Sequence, residues 1–451
     1  MRIPALLLSV PALAAALPAQ DGAIAIRAGK AVLADGSTLE NVTLVVQDGR
    51  IAVFGGADVE IPFDVLLHEW PAATIFPGFL EAQSSGGLDR PNENIPIAPF
   101  LDVKDSIDPV SFFFEDALRQ GTVALGIMPG HDTVIGGRGR VVAPTGMTVE
   151  QMTLAENLGM KMAFGPKRGW SRSSQLAELR EAVAGLDRSL RDHGQRLLDG
   201  EDVKSEKERL LTAEEKKKAK DEEEPWNRVA GVVRYGEDFP GKALIANLDL
   251  DDGQLGLLRI LNGEERLWVW CPTATDVMHA KQWLEEKNLL ADTVFVVSSA
   301  AWKAADLLAG AGLGVVIDGD PWHVERDPIT WKEVRTFAPL KFHEAGIPFA
   351  LGSDPGRVGP DRLGYQAALC VREGLPRAAA LAAVAATPAK FWGLEARLGR
   401  FEPGADGTFL ILDGDPLGAE THVLEAWIRG EKAYDRTQDK RLQRLLEGRD
   451  Q

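Results

Sequence analysis

The stretch LWVWCPTATDVMHAKQWLEEKNLLADTVFVV, at residues 267–297, places two short apolar runs on either side of a longer segment of mixed polarity. The runs at 267–270 and 294–297 are rich in β-branched and aromatic side chains, which is typical of buried strands. Residues 274–287 between them are a helical stretch. This order predicts two parallel strands with the helix packed outside the sheet.

The same alternation continues on both sides of this stretch. A second helical stretch lies at residues 300–309, and further strand-like runs lie at 73–76, 123–128, 160–164, 313–317 and 347–351. A sheet of about eight parallel strands spread over about 300 residues predicts an α/β fold of the TIM-barrel type.

Both ends of the chain carry short strands without helices between them. Residues 24–56 contain alternating apolar positions and a tight turn at Asp48-Gly49. Residues 405–434 have a similar pattern, with turns at 413–416 and 429–432. We therefore expect one small β domain that is built from both chain ends.

The composition limits the function classes. The chain has 451 residues, which suits a large barrel with a smaller partner domain. Its formal net charge of -17 opposes binding to nucleic acid or to anionic membranes. The two cysteines, Cys271 and Cys370, are too few for a disulfide framework, so we expect two buried thiols.

The first residues are typical of a secretory signal. Arg2 precedes an apolar run at residues 3–17, and small residues surround Ala16 to Ala19. The run is too short for a membrane span, and no cysteine is there to take a lipid. Residues 1–19 are therefore expected to be a signal peptide, and the mature protein to be periplasmic or secreted.

One region interrupts the barrel pattern. Apolar residues between positions 176 and 190 recur three and four apart, which predicts an amphipathic helix, and residues 201–224 carry dense charge of both signs. We interpret this as a solvated helical insertion at about 172–228. The alternative is a lid or a partner-binding arm over the barrel mouth.

Several short phrases resemble one enzyme family when their order and spacing are taken together. They resemble the amidohydrolase superfamily in its imidazolonepropionase-like, metal-dependent branch. The phrases are GKAVL (29–33), VVQDGRI (45–51), FPGFLEA (76–82), MPGHDTVIGG (128–137), GMKMAFG (159–165), GSD (352–354), TPAKFWGL (387–394) and LGRFEPG (398–404). The resemblance covers nearly the whole mature chain.

This resemblance implies a distorted TIM (β/α)8 barrel at residues 73–399 and a small β-sandwich at 20–72 plus 400–436. It also implies one or two divalent metals, such as zinc, at the carboxyl ends of the barrel strands. In the family the metal activates water, and an aspartate on the last strand acts as ligand and proton shuttle. The reaction is hydrolysis of an amide or another carbon–nitrogen bond.

The residues at the family's ligand positions are different here. The His-x-His pair of the first strand falls at Gln83 and Ser85, and the later histidines fall at Trp270 and Ser298. These four are poor zinc ligands, and they become pocket candidates instead. None of the seven histidines matches a ligand position: His68, His131, His193, His279, His323, His343 and His422. His131 and His323 are expected on loops at the barrel mouth, as surface residues rather than a rebuilt metal site, and His131 is also a pocket candidate.

Two charged residues remain as catalytic candidates. Asp354 is either the general base or a cap of the turn that follows it. In one interpretation, the ammonium of Lys161 takes the place of the missing metal charge and pairs with Asp354. In the other, Lys161 lies at the barrel rim in solvent or pairs with another acid. The family alternative, a carboxylated lysine that bridges two metals, is less favoured without the histidines.

A glycine-rich segment at residues 136–140 carries two arginines but lacks the ending of a phosphate-binding P-loop. We expect a loop that needs glycine's backbone freedom. The alternative is that Arg138 recognises an acidic ligand in the cavity.

Two functions follow from these residues. The first is a metal-free, catalytically degenerate relative of the hydrolases that retains a small-molecule pocket and needs no cofactor. The second is an active hydrolase that cleaves a cyclic amide or an acyl dipeptide through Asp354, with an atypical metal or none. A purely structural or interaction protein ranks last. The resemblance also suggests a homo-oligomer.

Overall fold

A computed structural model describes residues 22–63, 65–201, 203, 229–311, 314–353 and 363–448. It contains two large sheets and one hairpin. Their strands are β1 (Ile24–Val32), β2 (Thr38–Gln47), β3 (Arg50–Gly55), β4 (Leu66–Phe76), β5 (Phe79–Ser84), β6 (Thr122–Ile127), β7 (Ile135–Val142), β8 (Thr153–Ala163), β9 (Leu267–Cys271), β10 (Thr293–Val297), β11 (Gly314–Asp318), β12 (Trp322–Arg326), β13 (Glu333–Phe337), β14 (Phe349–Gly352), β15 (Phe409–Leu412), β16 (Val423–Ile428) and β17 (Glu431–Asp435).

The central sheet is a nearly closed barrel of eight strands, as predicted. Its order is β14-β11-β10-β9-β8-β7-β6-β5. At the seam, backbone N–H groups of Leu80 in β5 and Leu351 in β14 donate to the carbonyl groups of Val384 and Ala383. The segment at 383–384 therefore bridges the two edge strands, which leaves few unpaired backbone groups at the seam.

Strand β7 corrects the prediction of a glycine-rich loop. It runs antiparallel to both β6 and β8 inside the barrel sheet. A β-carbon on Gly137 would lie 2.6 Å from the carbonyl oxygen of Leu101, and one on Gly139 would lie 1.8 Å from the sulfur of Met128. These glycines are needed because neighbouring atoms pack closely against a strand, and not because the backbone turns. The loop prediction was therefore wrong.

The second large sheet is built from both chain ends, as predicted. It has seven strands in the order β17-β16-β15-β4-β1-β2-β3. β4 pairs with β1 and β15, so the run at 73–76, predicted as a barrel strand, belongs to this sheet. The small unit therefore extends four residues beyond the expected boundary at residue 72.

Helices cover the outside of the barrel. They are α1 (Phe112–Arg119), α2 (Val149–Met152), α3 (Arg172–Leu198), α4 (Asp252–Leu261), α5 (Ala274–Glu286), α6 (Ala305–Leu308), α7 (Ala338–Glu344), α8 (Leu363–Arg372), α9 (Arg377–Ala382), α10 (Ala386–Trp392) and α11 (Lys440–Glu447). Helix α3 buries Leu179, Val183, Leu186 and Leu190, the apolar stripe seen in the sequence. Within the described residues, no helix has both the length and the apolar character needed to cross a membrane.

Three sequence expectations concern residues outside the described part of the chain. The signal peptide at 1–19 and most of the charged insertion at 201–224 lie there and stay predictions. Asp354 also lies outside the described residues. The two cysteines are described, and both are buried and unpaired, as expected. Burial raises the pKa of Cys370 to about 12, so its thiol is unreactive at neutral pH.

Candidate functional site

One cavity of about 580 Å³ opens at the carboxyl ends of the barrel strands. Five residues singled out from the sequence line it: Gln83, Ser85, His131, Trp270 and Ser298. They come from the ends of four different strands or from the residues that follow them. Side chains at these strand ends converge because all four strands point the same way. The four positions matched to metal ligands in the family therefore do meet in one place.

Among the lining residues that the sequence analysis did not single out, three lie at or just after one strand end. Asp318 ends β11, and Asp320 and Trp322 follow it. The strand-like run at 313–317 already predicted this strand. An aspartate at the carboxyl end of a predicted barrel strand was therefore the signal that could have identified Asp318.

His131 is held as a wall of the cavity. Its Nε2 lies 2.7 Å from Oδ2 of Asp318. Its ring stacks on the indole of Trp270, with ring centres 3.7 Å apart and planes 5° apart. A carboxylate and a flat aromatic face thus fix the orientation of the imidazole. The other mouth histidine, His323, lies on the β12–β13 hairpin with its Nε2 3.7 Å from Glu325.

Lys161 lies inside the barrel wall, so the expected position at a solvent-exposed rim is wrong. The residue has no exposed surface. Its Nζ donates to Oε1 of Gln83 over 3.5 Å. Burial lowers the pKa of Lys161 to about 7, and the negative charge of Asp318 only partly opposes this effect. The pairing with Asp354 that the sequence suggested lies outside the described residues.

Glu81 is a second buried ionisable group, which the sequence analysis did not single out. One carboxyl oxygen accepts from the backbone N–H of Ser353 over 2.7 Å, and the other from its hydroxyl over 2.7 Å. Burial raises the pKa of Glu81 to about 8, and the charge of Asp318 adds to this effect. The available signal was alternation, since residues 81, 83 and 85 share one face of an extended strand.

The hydroxyl group of Ser298 forms hydrogen bonds with the local backbone. Its hydroxyl donates to the carbonyl oxygen of Pro272 over 2.6 Å. The same oxygen accepts from the backbone N–H of Ala300 and caps a short 3-10 helix at Ser299–Ala304. Ser298 therefore shapes the cavity wall while its own hydrogen-bonding capacity is largely used by the protein.

Arg138 lies away from the cavity. Its guanidinium donates to Oε1 of Glu265 over 2.8 Å, and the Glu265 side chain has no exposed surface. Arg138 lines a separate cleft of about 530 Å³ beside α4. The structure therefore does not bring Arg138 together with the other site candidates. A larger cleft of about 730 Å³, beside α8 and α11, contains none of them.

The described residues do not fit a divalent metal at the positions that the family uses. Trp270 has no lone pair to offer, Lys161 is a cation in its protonated form, and Ser298 is committed to the backbone. Among the described residues, no three His, Cys, Asp or Glu side chains form a group that could hold a metal ion.

Comparisons with known proteins agree with this architecture. The model of the "Amidohydrolase family" matches residues 275–434. An amidohydrolase from Thermotoga maritima has a similar structure, with a TM-score of 0.70, 22% identity and coverage of 92% of this chain and 100% of that one. No curated protein sequence matches this chain significantly.

Two other structures share the fold more distantly. An adenosine deaminase from Xanthomonas campestris with bound zinc has a TM-score of 0.50 and 15% identity, with 94% of this chain and 96% of that chain covered. A prolidase in complex with N-methylphosphonate-L-proline has a TM-score of 0.50 and 15% identity, with 92% and 100% covered. At such identities these likenesses concern the fold alone. The second half of the chain thus matches the amidohydrolase family model, and the chain shares the fold of the amidohydrolase structure along nearly its whole length.

Proposed function

We propose that this protein binds a small molecule in the barrel cavity and does not act as a metal-dependent hydrolase. One observation carries the proposal. The positions that the sequence resemblance matches to the family's metal ligands converge on the cavity, but they carry an amide, hydroxyl groups and an indole. A buried lysine amine donates to that amide. These groups form hydrogen bonds and stacking contacts, and they lack the set of neutral imidazoles that zinc hydrolysis needs.

Elemental analysis of the purified protein tests this proposal. We expect no stoichiometric zinc, manganese or iron, also after incubation with each metal and removal of the excess. The reason is that structural affinity for a metal requires several converging ligands. About one metal ion bound per chain would contradict the proposal.

A second candidate is hydrolysis of a carbon–nitrogen bond without the usual metal centre. The hydrogen bond between His131 and Asp318 favours it, because an imidazole oriented by a carboxylate can serve as a general base. Asp354 would share in proton transfer, as its position in the GSD phrase suggests.

A panel of cyclic amides and acyl dipeptides separates the two candidates. Under the binding proposal we expect no turnover of any of them. Under the second candidate, turnover appears in the wild type and is lost in both Asp354→Asn and His131→Asn. Turnover that persists in Asp354→Asn would remove that residue from the mechanism.

A further inference from the structure

Two indole rings line the cavity. Trp270 comes from β9 and Trp322 from the start of the β12–β13 hairpin. The guanidinium of Arg335 lies over the ring of Trp322, 5.0 Å from its centre. Indole faces attract cations through their electron-rich surface. One face of Trp270 is covered by His131 and one face of Trp322 by Arg335, so a ligand ring would stack on the remaining indole surface.

The charged lining of the cavity is mainly acidic. Asp318 is bonded to His131, while Asp132 and Asp320 each accept only a backbone N–H, from Arg168 and Trp322 respectively. Within the ranges that the structure describes, neither Asp132 nor Asp320 forms an ion pair. Among the described lining residues, the exposed Arg168 is the one that carries a guanidinium group. Three carboxylates thus face one guanidinium and one imidazole.

The hydroxyl groups of the lining are mostly committed to the protein. Ser298 donates to Pro272, Ser299 donates to the carbonyl oxygen of Trp322, and Ser353 donates to Glu81. The carboxylates and the aromatic faces are what remains for recognition.

We infer that the cavity selects an organic cation with a flat apolar part, such as an aromatic amidine, guanidine or amine. This inference rests on the proposed function, that the cavity binds a small molecule without a metal. The flat part stacks against the tryptophan wall, and the cationic nitrogen donates to Asp320 or Asp132. The net charge of -17 further favours the approach of cations over anions.

The experiment uses three probes of nearly equal shape: benzamidine, benzamide and benzoate, with charges of plus one, zero and minus one at neutral pH. Affinities are measured by calorimetry on the full-length purified protein, whose metal content is determined in the same preparation. We expect benzamidine to bind about tenfold more tightly than benzamide, because charge-assisted hydrogen bonds are about twice as strong as neutral ones. Benzoate should bind more weakly than benzamide.

Substitution of Asp320 tests the site of recognition. Asp320→Asn keeps the acceptor for the Trp322 backbone N–H and removes the charge. It should weaken benzamidine binding several-fold and benzamide binding much less. The matched control is Asp306→Asn, an exposed aspartate on α6 outside the cavity lining, which should change neither affinity.

Three results would overturn the inference: equal binding of benzamidine and benzamide, tighter binding of benzoate, or no binding of any probe at millimolar concentration. An equal loss of both affinities in Asp320→Asn would also overturn the assigned role of that carboxylate. Bound metal or turnover in the same preparation would instead contradict the proposed function, so the two failures can be distinguished.

Discussion

Lys161→Met is expected to stabilise the folded protein at pH 7, although it removes a charged residue from the centre of the candidate site. The Lys161 side chain is fully buried, and burial lowers its pKa from 10.5 to about 7. A shift of this size means that keeping the protonated amine in the fold costs on the order of 4 kcal/mol. Methionine has a similar length and no charge to desolvate. The lost hydrogen bond to Gln83 costs only about 1 kcal/mol.

The pH dependence identifies the cause of this stabilisation. Below pH 7 the amine is protonated in both the folded and the unfolded state, so the wild type carries the whole cost. Above the unfolded pKa of 10.5 the amine is neutral in both states, and the cost is gone. The advantage of Lys161→Met should therefore be largest at pH 7 and below, and should vanish near pH 10.5.

Chemical denaturation at several pH values measures this difference. Lys341→Met is the matched control, because its side chain is 40% exposed on α7 and its surface ion pair with Glu344 contributes little to stability. It should change the free energy of unfolding little at any pH. A Lys161→Met protein that is less stable than the wild type at pH 7 would show that the ammonium is a net stabilising charge.

Glu81→Gln should stabilise the protein on the alkaline side, with the opposite pH trend. Burial raises the pKa of Glu81 from 4.5 to about 8. Below pH 4.5 the carboxyl is neutral in both states and costs nothing extra. Above pH 8 it is ionised in both states, and the buried charge costs on the order of 4 kcal/mol. The glutamine resembles the neutral acid, so its advantage should grow from pH 4.5 to pH 8.

The hydrogen bonds of Glu81 make this a conservative change. The amide oxygen can still accept from the Ser353 backbone N–H, and the Ser353 hydroxyl can accept from the amide NH₂ instead of donating. Glu156→Gln, at an exposed position of β8, is the control and should show no such trend. A constant difference between Glu81→Gln and wild type across pH 4.5 to 8 would contradict the raised pKa.

Together the two groups give the wild type an unusual expected profile. Glu81 lowers stability as pH rises from 4.5 to 8, and Lys161 increases it as pH rises from 7 to 10.5. The combined contribution of these two groups to stability is thus least favourable near neutral pH. Such costs are tolerated mainly where a site is retained for function, since stability and activity often compete there. This is consistent with a cavity that still binds a ligand.

Much of the fold was predictable because its signals are local. The runs at 267–270, 294–297 and 313–317 became β9, β10 and β11, and the helical stretch between the first two became α5. Strand β7 was missed because its glycines suggested a turn. Only the neighbouring backbone of Leu101 and the sulfur of Met128 show why a β-carbon does not fit there.

The candidate site was predictable in part for the same reason. Gln83, Ser85, Trp270 and Ser298 could be placed by motif spacing, and parallel strands then brought them together. Asp318 was not found, although it ends a strand that was. Arg138 looked available for a ligand, but a buried partner distant in sequence, Glu265, holds its guanidinium.

The sequence by itself determined the barrel and the β sheet built from both chain ends. These follow from apolar patterning and from residue identity along the chain. The tertiary structure decided the charge state of the site. It buries Lys161 and Glu81 near the charge of Asp318, and it stacks the His131 ring on Trp270. A pKa depends on the dielectric and on charges that distant segments supply, so no local pattern could reveal it.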